Sequence, residues 1–136
     1  MGFLDKDNLL GIGIAAAGVG LLAWLLKGSK EEIEEETKRR NTPFSFPPTI
    51  PSESFHELVL QETKKIKKKK INIEINNQIV HGIVESQSGL STWNFYIDFN
   101  DYGSLTGKYW LASENEDSII PKKLAELIKE AICKVL

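Results

Sequence analysis

Hydrophobic and polar positions follow three successive patterns along this chain, and each predicts a different kind of element. The first is no alternation at all. Leu9 to Leu26 reads LLGIGIAAAGVGLLAWLL, eighteen residues without a charge, between Asp5, Lys6 and Asp7 on one side and Lys27 and Lys30 on the other. At about 1.5 Å of rise per residue a helix over this run reaches roughly 27 Å, at the short end of what crosses a bilayer core of about 30 Å. A secretory signal would want a basic start and a small-x-small cleavage site, whereas this run starts among acids and ends in Trp24-Leu25-Leu26-Lys27. The run therefore predicts a transmembrane helix.

The second pattern is helical. Ser29 to Arg40 is charged throughout apart from Ile33, with Glu34–Lys38, Glu35–Arg39 and Glu36–Arg40 as i,i+4 pairs, so it reads as a solvated helical stalk with nothing to bury. Asn41 to Pro51 holds four prolines and reads as a linker whose Phe44, Phe46 and Ile50 either pack back on the domain or are read by a partner. Ser54-Phe-His-Glu57 is a capping-box pattern that opens a helix to Lys70, with Phe55, Leu58, Val59 and Ile66 on one face. A last helix starts near Ser118 with Pro121 in its first turn. Leu124, Leu127, Ile128, Ala131, Ile132 and Val135 make its stripe.

Between these helices the period falls to two. Ile71, Ile73 and Ile75 alternate with Asn72 and Glu74, Asn76-Asn77 marks a hairpin turn, and Gln78–Glu85 returns. Trp93, Phe95, Ile97 and Phe99 alternate with Asn94, Tyr96 and Asp98. Asn100–Gly103 turns the chain into a fourth strand over Gly107–Ala112. The fold class that follows is α+β: an N-terminal transmembrane helix, then a two-layer domain in which a four-stranded antiparallel meander is flanked by two helices. The segments are a short tail over 1–8, the membrane helix over 9–26, a charged stalk and Pro-rich linker over 27–52, and a cytoplasmic domain over 53–136.

Charge orients this picture. Lys6 precedes the apolar run, while Lys27, Lys30, Lys38, Arg39 and Arg40 follow it, which predicts an outside N-terminus and a cytoplasmic domain. A lone cysteine, Cys133, allows no disulfide within the chain and agrees with a reducing compartment. The net charge is only −2, but it is unevenly spread. Lys64, Lys65, Lys67, Lys68, Lys69 and Lys70 form a basic block, whereas Ile71–Leu136 carries five lysines against nine acids. The block suits a helix C-terminus in solvent, contact with anionic lipid headgroups, or, third, phosphate backbone. Gly13, Ala17 and Gly20 make a smooth stripe on the apolar helix, a surface on which membrane helices pack against a copy or a partner.

Candidate chemistry is sparse. Asp98-Phe-Asn100-Asp101-Tyr-Gly103 has alternating oxygen ligands, but strands flank it and its twelfth position is Tyr109 where a calcium loop needs Glu. His56 and His81 have no metal-ligand spacing, Cys133 has no activating neighbour, and the chain contains no GxSxG, phosphate loop or HExxH. No catalytic residue, cofactor or metal is expected. The element order and the helix start Pro121-Lys122-Lys123-Leu124-Ala125 resemble a double-stranded-RNA-binding domain, from which the extra strand and the acidic sheet depart. Nucleic acid is therefore the weaker partner.

The expected function is that of a membrane-anchored protein-interaction module, or a subunit of a membrane-associated complex. Tyr96, Tyr102 and Trp110 would supply the apolar contacts, with Glu114, Glu116 and Asp117 as a polar rim. The alternatives are lipid or nucleic-acid contact through Lys64–Lys70 and, more weakly, a self-assembling pore built on the glycine stripe.

Overall fold

The structure, a computed structural model, describes residues 30–67, 70–86 and 88–136. The apolar run Leu9–Leu26 with Gly13, Ala17 and Gly20 lies outside these residues, as do Lys68 and Lys69. Among the described residues no helix is long and apolar enough to cross a membrane. Two compact units divide the chain, one ending at Asn41 and one running from Thr42 to Leu136.

Helix α1, Lys30–Asn41, belongs to the first unit. Glu31 and Glu32 occupy its positive end and Lys38, Arg39 and Arg40 its negative end, so its charges follow the helix dipole. The sequence predicts a stalk with nothing to bury, yet Arg39 is only 1% exposed. Its charge is paired where it is buried, since the Glu36 carboxylate one turn back accepts from its guanidinium.

The second unit is an α+β fold. Helix α2, Ser52–Thr63, starts earlier than the Ser54 capping box suggests, because Pro51 takes the N-cap with extended φ and ψ of −67° and 167°. It also stops seven residues short of Lys70. Thr63 Oγ1 bonds back to the Val59 carbonyl at 2.7 Å, Lys64 closes the helix, and Lys65 N and Ile66 N bond the carbonyls of Glu62 and Thr63 in a tight turn. Lys64 and Lys65 thus lie in a turn after the helix, and Lys70 opens a strand. Consecutive like charges gain nothing from helical stacking, while Ile66 gains cover against the core.

Strands β1 (Lys70–Asn76), β2 (Ile79–Glu85), β3 (Thr92–Asp98) and β4 (Trp110–Ser113) form one antiparallel sheet in sequence order. The β1–β2 loop is Asn77-Gln78, one residue later than expected, and Asn77 takes the positive φ of 56° that the tight turn demands. β4 starts later than expected, since Gly107 has φ of +99° and a Cβ there would lie 2.9 Å from Cys133 Sγ. That close approach of the loop to α3 (Ile120–Val135) excludes a strand at Gly107.

The register gives the sheet two chemically distinct faces. Val80 opposes Ile97, Gly82 opposes Phe95 and Val84 opposes Trp93, with Ile71, Ile73 and Ile75 alongside on β1. This face carries the core, completed by Phe55 and Val59 of α2 and Leu124, Ile128 and Ile132 of α3. Gly82 matters because the Phe95 ring lies where its Cβ would be, at 2.1 Å. The Pro-rich segment packs on the domain: Ile50 is buried, and rings step inward from Phe44 to Phe46 (4.9 Å), Phe55 (5.3 Å) and Phe99 (5.7 Å). α3 begins at Ile120 with Ile119 as its N-cap, and the Ser118 hydroxyl accepts from Ile120 N at 3.2 Å. Pro121 stands in the first turn as expected.

Candidate interaction surface

The second face of the sheet gathers polar and aromatic side chains in rows across the strands. One row runs Glu74, His81, Tyr96, Ala112, and the next runs Asn76, Ile79, Asp98, Trp110. Tyr96 and Trp110 are therefore diagonal neighbours on adjacent strands of one face. Both are half-buried.

A hydrogen-bonded frame holds Tyr96. Its ring stacks on His81 at 4.4 Å between centroids and 13° between planes. His81 Nε2 lies 2.8 Å from Asn94 Oδ1, and Asn94 Nδ2 donates to Glu114 Oε1 at 3.0 Å. Because the Asn94 amide nitrogen faces Glu114, its oxygen faces His81, and Nε2 of His81 donates. Asn94 N also donates to Glu114 Oε1 at 2.7 Å, and Glu114 N donates to the Asn94 carbonyl at 3.0 Å. Glu74 Oε1 lies 3.6 Å from His81 Nδ1 on the other side. The Tyr96 phenol is raised above its ordinary pKa, first by burial and then by the negative charges of Glu114 and Glu74. It is neutral at physiological pH, an apolar ring with a polar tip.

At one end of this face lies a buried polar network. Asp98 Oδ1 accepts from Gln78 Nε2 at 3.3 Å and from Asn100 N at 3.0 Å. Asn100 donates through Nδ2 to the Thr42 carbonyl at 2.9 Å, and its Oδ1 accepts from Gly103 N at 2.7 Å. Thr106 Oγ1 donates to Asp101 Oδ2 at 2.7 Å. The oxygens with a likeness to a calcium loop thus serve backbone and side-chain donors of a turn. Among the described residues no group of three or more His, Cys, Asp and Glu side chains could hold a metal.

The structure brings together only part of the set named from the sequence. Tyr96, Trp110 and Glu114 share one face, but Glu114 acts as a brace for Asn94, not as a rim charge. Tyr102 lies outside the strands in the turn closed by Asp101 and Ser104, with φ of 48° and 45% exposure. Glu116 and Asp117 follow β4 and are exposed. Trp110 opposes Asp98 while Glu114 lies past the Phe95–Ser113 pair, so tyrosine turn and acidic loop belong to opposite ends of β3. In the sequence His81 stands only as a histidine without metal-ligand spacing. Its signal was the cross-strand pairing with Tyr96, visible once the hairpin register is fixed. Cys133 sits on α3, which packs on the core side of the sheet, away from the His81 face.

Lys64, Lys65, Lys67 and Lys70 are all exposed. Lys65 pairs with Glu62 at 2.8 Å and Lys70 with Glu85 at 3.7 Å.

Comparison of the chain with protein-family models, with curated proteins and with solved structures finds no match. The surface is therefore read on its own chemistry.

Proposed function

We propose that this chain is a membrane-anchored protein-interaction module, whose α+β unit takes a partner protein on the second face of its sheet. The observation that supports this reading most is the fixed Tyr96 ring, stacked on His81 and braced through Asn94 and Glu114, with Trp110 diagonal to it. Large aromatic side chains give the most binding energy per residue at interfaces, and a ring already held in place loses little entropy on docking. Glu74 and Asn94 supply polar groups beside it. Anchoring rests on the apolar run Leu9–Leu26, and close packing of that helix on Gly13, Ala17 and Gly20 would bring copies or partners together.

The test is purification of the full-length chain from its own membranes in mild detergent. Replacing Tyr96 and Trp110 by alanine should reduce co-purified protein by about tenfold or more, the loss expected for one or two anchor residues. Unchanged recovery with both alanines would refute the surface. A second reading is supported by the exposed lysines between α2 and β1, which suit anionic headgroups. It predicts vesicle binding that falls steeply with salt and is lost when Lys64, Lys65, Lys67 and Lys70 become glutamine.

A further inference from the structure

Strand order leaves β1 at the margin of the sheet, with β2 on one side and no strand among the described residues on the other. β1 is seven residues long and pairs with β2 residue for residue, without a bulge. It contains no proline, and charge enters it only at Lys70 and Glu74. Antiparallel ladders alternate, so every second residue of a marginal strand points its N–H and C=O outward, a ready template for another strand. The core side of β1 is also incompletely covered. Ile71, Ile73 and Ile75 remain half-buried, while Val80, Val84 and Ile97 in the neighbouring strands are at most 1% exposed.

The sequence of β1 identifies what fits this edge. Opposite residues of an antiparallel pair lie on one face, so isoleucine must meet isoleucine if the core faces are to be continuous. A twofold axis through Asn72 satisfies this over Lys70–Glu74: Ile71 meets the second copy's Ile73, and Lys70 meets the second copy's Glu74, twice over. An axis through Ile73 sets Lys70 against Asn76 and pairs no charges, and one through Glu74 sets the carboxylates against each other. Of these three axes, only the one through Asn72 pairs opposite charges. The Lys70 and Glu74 side chains are 73% and 70% exposed, and their partners within the chain, Glu85 at 3.7 Å and His81 at 3.6 Å, leave both within reach of a neighbour.

We propose that two copies of this chain associate through β1, antiparallel about Asn72, into a continuous eight-stranded sheet. The proposal shares only Glu74 with the partner surface around Tyr96 and does not rest on that surface or on the glycine stripe.

Cysteine cross-linking of the full-length chain in detergent tests it. With Cys133→Ser as background, Asn72→Cys places two thiols directly opposite across the axis and should give a disulfide-linked dimer under mild oxidation. Asn76→Cys in the same background should not. Adding Glu74→Lys to Asn72→Cys sets like charges opposite at both ends and should lower the cross-linked fraction by about tenfold. Adding Lys70→Glu as well should restore it. Lys70, Asn72, Glu74 and Cys133 are exposed and Asn76 is half-buried at the end of the marginal strand, and far-UV circular dichroism checks that each variant is folded. No dimer from folded Asn72→Cys would overturn the proposal, as would equal cross-linking at positions 72 and 76. Indifference to the charge exchange would overturn it too.

Discussion

Two single residues carry more of the packing than their type suggests. Gly82 lies under the Phe95 ring, with no room for a Cβ at 2.1 Å, and it reads in the sequence only as a gap in a strand. Gly82→Ala must displace a fully buried ring, so it should destabilise the unit by about 2–3 kcal/mol, measured by urea unfolding. Tyr109 donates its phenol proton to Glu126 of α3, and burial together with that acceptor pushes its pKa up to about 12. The sign follows from linkage. Between pH 10 and about 12 the unfolded chain releases this proton while the folded chain keeps it, so stability falls as pH rises through that window. Tyr109→Phe should cost about 1 kcal/mol at neutral pH and flatten the alkaline decline. A decline as steep in the variant would place its origin elsewhere.

At the scale of elements, what the sequence makes legible follows the strength of the local period. Trp93 to Phe99 alternates without interruption, and β3 lies there; Leu124, Ile128 and Ile132 recur by fours, and all three are buried on α3. Boundaries fail where a local signal competes with a distant one. Ser54-x-x-Glu57 is a sound cap pattern, but Pro51 has the extended φ and ψ of a cap and lies beside the buried Ile50, so the helix starts at Ser52. Lys64–Lys70 has high helix propensity residue by residue, yet Thr63 bonds back and the chain turns to bring Ile71 into the sheet. The proline-rich segment is the clearest case. Its composition reads as a spacer, but Phe44, Phe46 and Ile50 make it a strap across the core. Ser45 N is fixed to the Gly103 carbonyl at 3.1 Å, and a Cβ at Gly103 would meet the Pro43 carbonyl at 2.8 Å. Phe46→Ala should therefore lower stability by roughly 2 kcal/mol, less than for a fully buried phenylalanine, and a flexible spacer would show no change in thermal midpoint.

Tyr96 and Trp110, chosen as aromatics surplus to a core, share the sheet face opposite α2 and α3. Tyr102 lies in the turn beyond the Asp98–Trp110 pair, and Glu116 and Asp117 follow β4 at the other end, because strand register, which no local pattern reports, decides which loops neighbour which strand ends. His81 and Asn94 join instead, across strands that are distant in sequence. The central proposal is that this face is where a partner docks, on a chain that Leu9–Leu26 is proposed to anchor. Oxidative side-chain labelling compares the chain in its own membranes with the purified chain in detergent. With a partner docked on this face, Tyr96 and Trp110 should lose labelling several-fold in membranes, while Trp93 on the core face does not change. Equal labelling of Tyr96 and Trp110 in both states, with the folded signal intact, would contradict it.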